Sequence, residues 1–145
     1  MKIALACDHG ALELKEAIKA HLTMRGLEFE DFGTYTKDSC DYPDFAGPAA
    51  QAVAAGDCDR GIVCCTTGIG ISIAANKIHG IRCALLHDHM SARLTRQHNN
   101  ANMMALGAAV TAEPLALELV DIFLDTEFEG GRHQRRVDKI AALEE

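Results

Sequence analysis

Short apolar runs alternate along this chain with longer segments in which apolar residues recur every three or four positions. Lys2–Cys7 (K-I-A-L-A-C) is nearly all apolar, the pattern of a strand buried on both faces. Residues 11–25 carry Leu14, Ile18 and Leu22 at i, i+4 and i+8, with Lys and Glu on the other face. That spacing predicts an amphipathic helix, ended by Gly26. Residues 27–32 alternate apolar and acidic, as an edge or half-exposed strand does. After a polar loop, Pro43 opens a helix over 44–55 that stops at Gly56-Asp57. Residues 61–65 read as a third strand and 71–77 as a third helix, broken by His79-Gly80. A fourth strand is predicted over 81–86, then a helical segment from His87-Asp88-His89 through Arg96. Residues 103–106 form a fifth strand closed by Gly107. A helix over 111–124 follows, with Leu115, Leu119, Ile122 and Phe123 on its apolar side, and a basic helix over 132–143 ends the chain. Regular alternation with short loops and no internal repeat predicts an α/β protein with a parallel sheet.

Length sets this at one domain, residues 1–145, with room for a substantial core. The net charge of −7 argues against a general nucleic-acid or anionic-membrane binder, which needs a basic face. A small phosphorylated ligand needs only a local basic cluster and stays compatible. The longest apolar region, residues 61–75, is interrupted by glycines and hydroxyls and is shorter than the ~20 residues of a membrane span. No export signal follows Met1-Lys2, and the six cysteines contain no C-x-x-C pair. A reducing cytoplasm is the expected location.

The candidate chemistry concentrates around residues 60–77 (R-G-I-V-C-C-T-T-G-I-G-I-S-I-A-A-N-K). A buried strand runs into small residues and then a helix, so the loop lies over a helix N-terminus, a natural anion site. Adjacent Cys64 and Cys65 must point to opposite faces of a strand, and Cys65 lies nearer the helix. Spacing alone accommodates both a thiolate nucleophile or base at Cys65 and a pair of core thiols. Gly68-Ile69-Gly70 lacks the third glycine of a dinucleotide fingerprint and the lysine of a P-loop. Thr67 offers a hydroxyl beside free N–H groups, where an oxyanion can be held. Asp8 and His9 end the first strand at the same edge, though Asp8 also suits a helix cap. His98 and Asn99 follow a segment with Arg93 and Arg96; alone, they fit a surface role equally well. Arg132, His133, Arg135 and Arg136 form the only dense basic cluster, with Arg132 and Arg136 one turn apart and able to grip one phosphate. Cys83, His87 and His89 match no common zinc spacing, so no metal is expected.

Several motifs in one order carry a family resemblance: C-D-H-G at Cys7, D-Y-P at Asp41, C-T-T-G-I-G-I-S-I-A-A-N-K, R-Q-H-N at Arg96 and G-G-R-H-Q-R-R. The chain resembles the type B ribose-5-phosphate isomerases, which are grouped with the galactose-6-phosphate isomerase subunits. The resemblance implies a single-domain Rossmann-like three-layer α/β/α sandwich with a five-stranded parallel sheet. It implies homodimers or homotetramers with active sites shared between subunits, helix 132–143 packing on a partner. It also implies cofactor- and metal-independent aldose–ketose isomerisation of phosphorylated sugars. By that resemblance Cys65 is the base that moves a proton between C2 and C1 through an enediolate. Thr67 and the N–H groups of Gly68, Ile69 and Gly70 hold the enediolate oxygens. His98 opens the sugar ring, assisted by Asp8. His9, Arg132 and Arg136 bind phosphate, and Tyr42 and Asn99 line the site. Ribose 5-phosphate is the expected substrate, with allose or galactose 6-phosphate as alternatives. Thr66 departs from the family's usual glycine and adds a β-branched side chain beside Cys65. A flavodoxin-like binding module and a redox thiol protein are the alternatives outside this class, countered by the glycine pattern and the absence of C-x-x-C.

Overall fold

In the computed structural model, which describes residues 1–144, five strands form one parallel sheet in the order β2-β1-β3-β5-β4. The strands are β1 (Lys2–Cys7), β2 (Glu28–Asp31), β3 (Arg60–Cys65), β4 (Cys83–Leu85) and β5 (Met103–Gly107). The helices are α1 (Leu12–Met24), α2 (Pro43–Ala55), α3 (Ile69–Asn76), α4 (His89–Asn99), α5 (Glu113–Asp125) and α6 (Arg132–Ala141). Short 3-10 turns stand before α1 (His9–Ala11) and after α6 (Ala142–Glu144). A single-domain, three-layer α/β/α architecture results: the hydrophobic pattern predicts the α/β class and parallel sheet, and the family resemblance the three layers and five strands.

Each face of the sheet has its own core. On one, Ile3, Leu5, Cys7, Ile62 and Cys64 meet Leu14, Ile18 and Leu22 of α1 and Leu119, Val120 and Phe123 of α5. On the other, Ala4, Ala6, Val63 and Cys65 meet the alanines of α2 and Ile71 and Ala75 of α3. Small residues dominate this second face, so the α2 and α3 backbones lie close to the strands. The near-continuous apolar runs of β1, β3 and β5 are explained by coverage on both sides.

The register determines where chemistry is possible. From β1 the chain steps outward to β2, then crosses back past β1 to β3, which pairs with β1 through Cys7 and Cys64. The strand order therefore reverses between β1 and β3, and the crevice at the carboxyl ends of these two strands is where open α/β sheets bind ligands.

Several expectations are corrected. Strand β2 covers only residues 28–31 and β4 only 83–85, because both are edge strands paired on one side. Helix α3 begins at Ile69, so Gly70 lies in its first turn and not in the preceding loop. Helix α4 runs three residues past Arg96 and includes His98 and Asn99; it stops where Asn100 turns left-handed at φ 47°. Helix α6 gives way to a 3-10 turn at Ala142. Lys15 on α1 was expected to face solvent but is buried. Its Nζ lies 2.7 Å from Asp31 Oδ1 and donates to the Thr34 carbonyl, below the Tyr35 ring. Lys19 reaches the other oxygen of Asp31 at 2.9 Å. Burial pushes the Asp31 carboxyl up, but the two lysines and the Gly33 N–H outweigh it and hold it below the usual range.

Candidate active site

The switch-point crevice gathers most of the candidate residues. Asp8 follows β1, donates its N–H to the Cys64 carbonyl at 3.2 Å, and accepts from Gly10 N–H at 2.9 Å. It thereby caps the short turn that carries His9. The exposed His9 accepts the Cys40 backbone N–H on Nδ1 at 3.2 Å, which leaves Nε2 as the N–H donor turned outward. Cys40 is not among the expected site residues; its Sγ also lies 3.7 Å from His9 Nδ1.

Cys65 ends β3 in the next strand over. The two cysteines do point to opposite faces, Cys64 into the α1/α5 core and Cys65 into the α2/α3 core. Their environments differ sharply. Complete burial holds the Cys64 thiol far above its ordinary range, so it stays protonated, and burial pushes Cys7 on the same face up to about 12. Cys65 Sγ instead accepts the Gly68 N–H at 3.1 Å, a donor placed where a thiolate's charge would sit.

The loop after Cys65 is shaped by glycine. Gly68 adopts φ 77°, and a Cβ there would stand 2.6 Å from Leu85 Cδ1 and 2.9 Å from the Leu106 carbonyl carbon. Gly70 lies under the Tyr42 ring, where a Cβ would be 2.3 Å from Cε1. This contact brings Tyr42 to the same crevice. The exposed Thr67 accepts the Ile69 N–H on Oγ1 at 3.3 Å, and the first turn of α3 presents its remaining amides to the crevice mouth. Thr66 is exposed and its hydroxyl packs over Gly10, tying the β1 and β3 loops together.

The remaining four candidates, His98, Asn99, Arg132 and Arg136, lie elsewhere. Helix α4 returns antiparallel to the strands, so His98 and Asn99 sit where β5 begins, beside Asn102, whose carbonyl accepts from Gly61 N–H at the start of β3. Cys65 is at the far end of that strand, about 15 Å of chain away at strand rise. Arg132 and Arg136 accompany His98. The ring of His133, between them on α6, stacks on His98 with centroids 4.2 Å apart and planes 11° from parallel. Both arginines are exposed, and neither is paired with an acid among the described residues. Arg96 is buried below this cluster, with Nε donating to Thr126 O at 3.2 Å and a terminal nitrogen to Asn100 Oδ1 at 2.9 Å. It fixes the turn that ends α4. Within one chain, then, Asp8, His9, Tyr42, Cys65, Thr67, Gly68 and the first residues of α3, Ile69 and Gly70, come together. His98, Asn99, Arg132 and Arg136 come together at the opposite edge of the sheet.

His89 is committed to Glu118, 2.6 Å away, and burial raises the Cys83 thiol to about 12. No helix among the described residues is long and apolar enough to cross a membrane.

Comparison with known proteins bears on this arrangement directly. Residues 3–140 match the profile of the ribose/galactose isomerase family. The chain belongs to that family. It is 49% identical to ribose-5-phosphate isomerase B of Escherichia coli, covering 99% of this chain and 97% of that protein. The solved ribose-5-phosphate isomerase B of Clostridium thermocellum superposes with a TM-score of 0.98 at 53% identity, over 99% of this chain and 97% of the other. That of Mycoplasma genitalium, solved with bound ribulose 5-phosphate, gives 0.94 at 43% identity over 99% and 95%. Sugar-phosphate isomerisation is thus the activity class of this chain.

Proposed function

We propose that this protein interconverts ribose 5-phosphate and ribulose 5-phosphate by proton transfer through an enediolate, without a metal. The observation that carries the proposal is Cys65: it ends β3 at the β1/β3 switch point and its sulfur receives the Gly68 N–H. A sugar C2–H is a weak acid, so a base removes it only where the enediolate is stabilised as it forms. In this reading Cys65 takes the proton from C2 and returns it to C1. Thr67 and the amides of Gly68, Ile69 and Gly70 hold the developing oxygen charges, with Tyr42 along the wall. His98 and Asp8 open the furanose ring, Asn99 contacts the sugar, and His9, Arg132 and Arg136 anchor the phosphate.

The two clusters lie at opposite edges of the sheet, which supports a homo-oligomer in which each site takes Cys65 from one copy and His98, Asn99, Arg132 and Arg136 from another. The exposed arginines fit that role, since neither is paired with an acid among the described residues and both keep their guanidinium groups for an anion.

The test is an isomerase assay with ribose 5-phosphate in the presence of EDTA. Cys65→Ala is expected to lose roughly 10²–10⁴-fold in kcat, the usual worth of a positioned base, while EDTA leaves the wild type unchanged. Full activity in Cys65→Ala would overturn the mechanism. In the same assay Arg132→Ala and Arg136→Ala should raise KM about tenfold or more each, as expected for a lost charged contact to phosphate. An unchanged KM in both would remove the phosphate assignment.

A further inference from the structure

We infer that His133 is a positioning residue for His98: the flat face of its ring fixes the plane of the His98 imidazole. The inference rests on the ring-opening role given to His98 above. A histidine at the end of a helix has two soft torsions, and a proton donor is useful only when its N–H line is aimed. Hydrogen bonds aim the rings of His9, His21 and His89, but among the described residues none holds either nitrogen of His98. What holds it is the stack: centroids 4.2 Å apart, planes 11° from parallel, rings supplied by two different helices.

His133 is built to stay still. It is buried, its neighbour one turn on, Val137, is buried with it, and its Nε2 lies 3.5 Å from Glu129 Oε2. Glu129 is itself tied to α4 by its N–H to Gln97 O, at 3.1 Å. Burial, together with the nearby His98 and Arg132, depresses the ionisation of His133. A neutral ring is therefore the resting partner, and a second cation does not arise beside the two arginines. The half-buried His98 is covered on the stacked face and keeps its edge for a ligand.

His98, Glu129 and His133 also place three metal-ligating atoms within 4.8 Å of one another. The ring planes decide against a chelate. In nearly parallel stacked imidazoles the nitrogen lone pairs run side by side, and they do not converge on one point about 2.1 Å from both.

A variant cycle on the intact protein tests the inference. His133→Leu is expected to lower kcat for ribose 5-phosphate about tenfold, with KM little moved, and His133→Phe, which restores a flat ring, to recover most of it. His133→Gln serves as the ring-less variant if the leucine form does not fold. In a His98→Asn background the His133 substitution should add less than about twofold, because a positioning residue acts only through its partner. An undiminished effect in that background, a phenylalanine form as slow as the leucine form, or wild-type kcat in the ring-less variants would each overturn it. Wild-type kcat in His98→Asn alone would instead remove the ring-opening assignment beneath it.

Discussion

Gly68 meets three demands with one residue. Its backbone is left-handed, the space a Cβ would need is taken by Leu85 and the Leu106–Gly107 backbone, and its N–H is aimed at Cys65. An alanine there would carry a Cβ into backbone that has no room to move, in a conformation L-residues rarely adopt. Gly68→Ala should therefore cost about 1–3 kcal/mol of stability, measured by denaturant unfolding, and reduce kcat more than KM. A fully active and equally stable alanine form would show that the left-handed conformation and close packing at this position are not what hold the site. The strand neighbours Cys64 and Cys65 make the complementary point, since one step in sequence separates a thiol held protonated by burial from one that meets a backbone donor.

At the scale of elements, α6 depends on His133 and Val137 for its seat on α4. Because folding depresses the ionisation of His133, the unfolded chain takes up that proton first as pH falls. The group contributes its full share above the ordinary imidazole value of 6.5 and stability is lost as pH drops through and below it. Melting temperatures between pH 8 and 5 should fall less steeply for His133→Phe than for the wild type; parallel curves would contradict this. The strands and the bodies of the helices were legible in the sequence because periodicity reports burial. Their ends were less so. Nothing in R-Q-H-N shows that Arg96 is buried against Thr126 and Asn100, and those contacts carry α4 on to Asn99. The burial of Lys15 is hidden for the same reason: its partner Asp31 lies across the first βα unit. The buried spacing of His133 and Val137 was the available sign that this histidine does not belong to the exposed basic face.

For the whole molecule, the motifs could be matched in order but not in space. A helix returning from a parallel strand ends at the opposite edge of the sheet, and that alone separates His98 from Cys65. If each site draws on two copies, two inactive variants should repair one another. Mixing Cys65→Ala with His98→Asn under conditions that exchange subunits should restore roughly a quarter of wild-type activity in a two-fold dimer. Half of the dimers would be mixed, each with one intact and one doubly altered site. No recovery after verified exchange would place the whole site in a single chain.

The alternation of side chains along β3 also decides how the enzyme would fare under oxidation. A sulfenic acid at Cys65 needs a second thiol to resolve it as a disulfide, and its covalent neighbour is turned to the far side of the sheet. Cys64 is near in sequence and out of reach, so the adjacent thiol is no resolving partner for an oxidised Cys65.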